Sequence, residues 1–78
     1  YRVQIKSHWK QPKHNNVFEL DVRRHRRKNT SYQETEIDFM VVYVYHLDGF
    51  FIFPNKGMKT VSLNPNKSKY WQNFEFNL

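Results

Sequence analysis

Polar and apolar positions alternate at the start of the chain: Tyr1, Val3 and Ile5 fall on one face of an extended segment, and Arg2, Gln4 and Lys6 on the other. A period of two over residues 1–6 predicts a half-buried strand with a polar, basic outer face. Residues 8–16, with Pro12, Asn15 and Asn16, read as a loop or hairpin connection. Val17, Phe18, Leu20 and Val22 predict a second strand over 17–22, which runs straight into the cationic stretch 23–28 before 29–31 turns the chain. Residues 32–36 fit a short helical turn and an extended lead-in equally well. The near-continuous run of β-formers at 37–45 is the signature of a central strand covered on both faces. His46, Leu47, Asp48 and Gly49 form a turn and 50–53 the returning strand, so the two make a hairpin. Residues 54–57 end it. A short strand at 60–63 stops at Asn64, Pro65 and Asn66, and the weakly alternating tail 70–78 is expected to pair at a sheet edge.

A central strand covered on both faces needs a layer on each side. No stretch of this sequence has the period of an amphipathic helix. Either the strands curl into a small barrel, or a covering helix precedes Tyr1. A chain that opens on Tyr1 rather than methionine agrees with the second option, and a piece of a longer protein is expected. Composition supports a sheet: alanine is absent, glycine occurs twice, and aromatic residues make up 18%. Those preferences fit a pleated surface better than a helix. With no cysteine, neither disulfides nor a thiolate zinc site is available, and His8, His14, His25 and His46 match no ligand spacing. The apolar run 37–53 carries Asp38, His46, Asp48 and Gly49, which excludes a transmembrane helix. No membrane partner is expected.

Charge changes the picture more than composition does. Of the net +6, residues 1–28 carry nine Lys and Arg against Glu19 and Asp21 alone, a local +7, whereas 29–78 carry four against five acids, a local −1. A basic end on an otherwise ordinary core points to a polyanionic partner, most simply nucleic acid. Arg23, Arg24, Arg26, Arg27 and Lys28 bear guanidinium and ammonium groups suited to phosphate contact, and Lys10 and Lys13, with His14, are a second candidate clamp. A nuclear-localisation-like cluster or a plain solvated loop would show the same run. His8 and Trp9 are expected to be packing and loop residues. Asp38 is expected to cap or orient a loop, and Asp21 and Asp48 to be solvated. The aromatics at 43–53 are expected in the core. Tyr70, Trp71, Phe74 and Phe76 suit packing better than a stacking platform.

Gln4 and Lys6 are two apart on a strand and so project from one face. A lysine held beside a metal-bound phosphate stabilises developing charge or helps activate the attacking water. By itself this triplet recurs on many solvated strands, but it has company. Val3-Gln4-Ile5-Lys6-Ser7, then Val17-Phe18-Glu19-Leu20, then Tyr32 followed by Ile37-Asp38-Phe39 and Val41-Val42-Tyr43, then Phe51-Ile52-Phe53-Pro54 and Val61-Ser62-Leu63-Asn64-Pro65, occur in an order and spacing that resembles one family. These are the group I intron-associated homing endonucleases with the PD-(D/E)XK, restriction-endonuclease-like core, in which glutamine stands for the usual second acid.

The resemblance implies that residues 1–78 are the C-terminal portion of a single nuclease domain, an α+β fold with a mixed sheet and a hairpin, whose N-terminal helix and first strand lie before Tyr1. It implies a Mg²⁺ site whose main carboxylates also lie there. Gln4 is a neutral, weak ligand, and Lys6 the leading catalytic residue. It further implies double-stranded DNA as partner and a homo-oligomer, dimer or tetramer, since two antiparallel cuts need two sites. The protein is then intracellular, and this chain alone does not cut. The rival is a non-catalytic, basic β-rich nucleic-acid-binding domain of OB or small-barrel type. A degenerate nuclease fold kept as scaffold is a third reading.

Overall fold

The computed structural model describes residues 1–75. Strand β1 (Val3–His8) lies parallel to β5 (Phe39–Val44), which pairs antiparallel with β6 (Gly49–Pro54), giving a mixed sheet in the order β1-β5-β6. Every β5 residue except Tyr43 is buried, as a central position between two strands requires. The strand is shorter than the apolar run because Ile37 and Asp38 are drawn into a corner. The Asp38 and Phe39 amides both donate to the Arg2 carbonyl (2.8 and 3.2 Å), and the Asp38 carboxylate accepts the Arg2 amide at 2.8 Å. Asp38 therefore orients a neighbouring segment, in its expected structural role.

At the other end Tyr45–Leu47 form a single 3-10 turn, and Asp48 takes the left-handed conformation (φ 50°) that closes it. The Tyr43 hydroxyl donates to Asp48 Oδ1 at 2.6 Å, so Asp48 is bound rather than free in solvent. Gly49 already belongs to β6. Its lack of a side chain serves a close approach instead: a Cβ there would stand 2.5 Å from the Trp71 ring. The residue after the turn had to be small for packing, not for backbone freedom.

A second layer covers one face of this sheet. Strand β2 (Phe18–Asp21) pairs antiparallel with β7 (Thr60–Leu63), and β3 (Arg23–His25) with the two-residue β4 (Thr30–Ser31). Phe18, Leu20, Val22 and Ile37 pack from this side against Met40, Val42, Val44, Phe51 and Phe53. The predicted strand 17–22 is broken after Asp21 because Val22 turns its amide to the Lys59 carbonyl and its side chain into the core. The strands do not close into a barrel, and among the described residues there is no α-helix.

The register decides which face of β1 looks inward. Gln4, Lys6 and His8 sit opposite Met40, Val42 and Val44, so they project toward the second layer. Val3 and Ile5 lie on the other face with Phe39, Val41 and Ile52, and are 41% and 65% exposed. This corrects the polar outer face expected for residues 1–6. Alternation separated the two faces correctly, but the β2–β7 layer lies over the polar one, and among the described residues nothing crosses Val3 and Ile5.

The tail adds to the edge of β6 as expected as far as residue 72. Ile52 donates to the Tyr70 carbonyl (2.9 Å) and Gln72 to the Phe50 carbonyl (2.8 Å), with Trp71 bridging Phe51. Phe76 lies outside the described residues. Residues 32–36 form a turn, closed by the Glu36 amide on the Gln33 carbonyl (2.9 Å). Asn55, just past the end of β6, pins that turn. Its buried Nδ2 donates to the Gln33 and Ile37 carbonyls (3.0 and 3.1 Å), while Oδ1 accepts the amide of Gly57, whose φ is +78°. Asn55→Ala would strand two carbonyls and an amide, and is expected to cost about 2–3 kcal/mol, read as a lower urea midpoint at unchanged m-value. A midpoint unaltered within error would refute this bracing role.

Candidate active-strand cleft and nucleic-acid interface

Gln4 and Lys6 share a half-buried strand face that looks onto the β2–β3 corner. The Lys6 ammonium donates to the Arg23 carbonyl at 2.7 Å and lies 5.6 Å from the centre of the Tyr32 ring. It opens into a cleft bounded by Ser7, Asp21, Arg23, Arg24 and Arg26. Lys6 and three arginines thus line this cleft, together with the Asp21 carboxylate. The contact Gln4 makes within its own strand is weak, its Nε2 reaching the Ile5 carbonyl at 3.5 Å.

Asp21, expected in solvent, is instead the hub of the corner. Arg23 holds it through Nε (2.9 Å) and Nη2 (2.7 Å), and Arg26 stands 3.5 Å away. The Arg23 hydrogen bond is the main cause that lowers the Asp21 carboxyl from 3.8 to about 2, and the same bond raises Arg23. A depressed carboxyl contributes stability at pH above its unfolded value, and loses it as pH falls through the folded one. The shift corresponds to about 2 kcal/mol unscreened, and about 1 kcal/mol for a carboxylate more than a third exposed. Asp21→Asn is accordingly expected to lower stability by about that amount at pH 6, with the two proteins converging near pH 2. Parallel stability curves from pH 2 to 7 would sink this assignment.

The cationic run divides into two groups. Arg23 and Arg26 are engaged by Asp21, and Arg24 by Glu36 at 3.0 Å. Arg27 and Lys28 occupy the tip between β3 and β4, exposed and with no carboxylate partner among the described residues. Asn29, with φ 53°, closes that tip and accepts Arg23 Nη1 at 3.3 Å. In the second candidate clamp, Lys13 is paired with Glu19 (2.8 Å), whereas Lys10 makes no ion pair among the described residues. His14 only bridges to Val17. The histidine that shares a groove with Lys10 and Lys13 is His8, expected in a loop but standing at the end of β1 on the Gln4 and Lys6 face. Trp9 stacks on Tyr45 at 4.4 Å in the open.

A divalent cation is poorly provided for here. Among the described residues no three His, Cys, Asp or Glu converge, Gln4 offers a neutral carbonyl, and the nearest carboxylate, Asp21, is held by two arginines. These residues do not by themselves fit a Mg²⁺ ion.

The description "PD-(D/E)XK endonuclease" belongs to the family model that matches residues 1–75, and the chain is a member of that family. Neither the curated proteins nor the solved structures contain a significant match to it. Membership accords with a mostly β chain built on a mixed sheet. The strand that carries Gln4 and Lys6 lies at the sheet's edge and faces a basic corner. No helix among the described residues is long and apolar enough to cross a membrane.

Proposed function

We propose that this chain is the C-terminal portion of a Mg²⁺-dependent endonuclease domain that cuts double-stranded DNA inside the cell, of the homing type associated with group I introns. The observation that supports it most is the Lys6 ammonium, held at the mouth of an arginine-walled cleft on the strand that also carries Gln4. Lys6 places a positive charge where a scissile phosphate gains negative charge. Arg24 and Arg26 hold the backbone beside it, and Arg27, Lys28, Lys10 and Lys13 extend the contact along the duplex. A divalent metal held by carboxylates outside this chain would supply a polarised water and charge neutralisation beside Lys6. Its carboxylate ligands would come from outside residues 1–78, since no three His, Cys, Asp or Glu side chains converge among the described residues. Two sites in a homo-oligomer, dimer or tetramer, account for cuts on both strands.

One feature favours a second reading. A neutral Gln4 and an arginine-bound Asp21 are what a basic, non-catalytic DNA-binding domain would also show. The test is Mg²⁺-dependent cleavage of supercoiled plasmid by the complete native protein, with and without chelator, beside a salt-dependent binding assay of residues 1–78. Cleavage abolished by chelator, with salt-sensitive binding but no cutting by residues 1–78, is the expected pattern. Binding by both without any cutting would transfer the protein to the second reading.

A further inference from the structure

We propose that the groove between His8, Lys10, Glu19, Arg23 and Arg26 is a second phosphate subsite, separate from the Lys6 cleft and next to it. The imidazole carries the argument. His8 is only 9% exposed, its ring stands 5.8 Å from Phe18 at the edge of the core, and its Nε2 is buried with no hydrogen-bond partner. An orphaned polar nitrogen of this kind is costly unless something meets it. Packing and the backbone hydrogen bond at Lys10 account for the rest of the ring but leave Nε2 without a partner.

The surroundings specify an anion. The groove is a polar pocket of about 240 Å³, bounded also by Asp21 and Thr60. It is smaller than the roughly 300–1,000 Å³ sites that take drug-sized ligands. Both of its carboxylates are already matched, Glu19 by Lys13 at 2.8 Å and Asp21 by Arg23 and Arg26. Lys10 is therefore left with no ion pair among the described residues, beside a ring nitrogen with nothing to bond. The groove and the Lys6 cleft share Asp21, Arg23 and Arg26 as a common wall, so a phosphate in each would lie on either side of one arginine ridge. The subsite rests on its own geometry. Only its assignment to a DNA phosphate flanking the cut depends on the nuclease reading.

Occupancy and protonation of His8 are linked. Burial, and then the neighbouring Lys10 charge, hold the imidazole below its usual range, against a backbone hydrogen bond at Lys10 that raises it. The charged groups facing it are Lys10 from its own segment, Glu19 and Asp21 from β2, Arg23 from β3 and Arg26 from the turn. Only the protonated ring donates at both nitrogens. A bound phosphate thus draws a proton onto His8, and binding tightens as pH falls.

The probe is inorganic phosphate, titrated into the protein at constant ionic strength with chloride as control and followed through the imidazole and amide resonances. Saturable shifts at His8, Lys10 and Arg23 are expected, with affinity for the phosphate monoanion several-fold higher at pH 5.5 than at 7.5. His8→Phe, which keeps the contact with Phe18, should abolish them. Lys10→Ala, at an exposed position, should weaken them several-fold. Shifts that are linear, matched by chloride, centred on Arg27 and Lys28, or unchanged in His8→Phe would overturn the subsite, as would a flat titration, which would leave buried water as the partner of Nε2. Saturation at His8 in a protein that neither binds nor cuts DNA would keep the subsite and remove the nuclease reading. Plasmid cleavage at unchanged DNA affinity in His8→Phe would do the reverse.

Discussion

Phe51→Ala is expected to bring the chain to the edge of unfolding at room temperature. Phe51 is fully buried in the middle of β6, opposite Val42, with its ring 4.8 Å from Trp71 and 6.5 Å from Phe18. It is where the mixed sheet, the second layer and the tail meet. Truncation of such a phenylalanine costs about 3–5 kcal/mol. A domain of this length holds about 4–12 kcal/mol in total. The thermal midpoint should fall by about 15–30 °C, at about 4–8 °C for each kcal/mol, with cooperativity lost if the remainder is too small. Phe51→Leu, which keeps most of the volume, should recover the larger part. Circular dichroism melts of the three proteins decide the matter, and a fall below about 5 °C, equivalent to about 1 kcal/mol, would mean that Phe51 is not the junction described.

Lys6→Ala is expected to cost cleavage far more than binding. On the proposed reading the ammonium acts on charge that develops only in the transition state. Loss of one such preorganised group costs about 10²–10³-fold in rate. Duplex affinity should change only by the share of one phosphate contact, which reduces the salt slope by about 0.9. Stability should fall by about 1 kcal/mol, because the Arg23 carbonyl loses its donor. Lys6→Arg keeps the charge but spreads it over a wider, planar group, and should restore the salt slope without restoring the rate. Cleavage at the full rate in Lys6→Ala, measured on the complete native protein, would move the catalytic charge to another residue.

What the sequence disclosed and what it withheld follow from the range of the interactions involved. The β5–β6 hairpin was readable because its apolar run, turn and return are contiguous. Asp38 was readable in the same way, as an acid at the start of a buried strand. The inward face of β1 was not. Alternation put Gln4 and Lys6 on one face, but His8, read as a loop residue, continues that face, and the layer that meets all three comes from β2 and β7, which pair across most of the chain. The cationic run looked uniform for the same reason. Asp21 and Glu36, one on each side of it, hold three of its members in ion pairs and leave Arg27 and Lys28 at the tip. Asn55 gave no signal at all, since a lone asparagine after a proline reads as a turn until its carbonyl partners are brought beside it.

The parallel pairing of β1 with β5 has a kinetic consequence. The hairpin can form within microseconds from its own neighbours, but β1 must wait for the whole intervening chain to close before Val3 meets Phe39. Topologies dominated by such distant pairings fold in about milliseconds to seconds. The strand that carries Gln4 and Lys6 is thus expected to be among the last to seat and the first to open. Native-state hydrogen exchange should show it as faster exchange in β1 than in β5 and β6. Equal protection across the three strands would mean that the sheet opens as one unit.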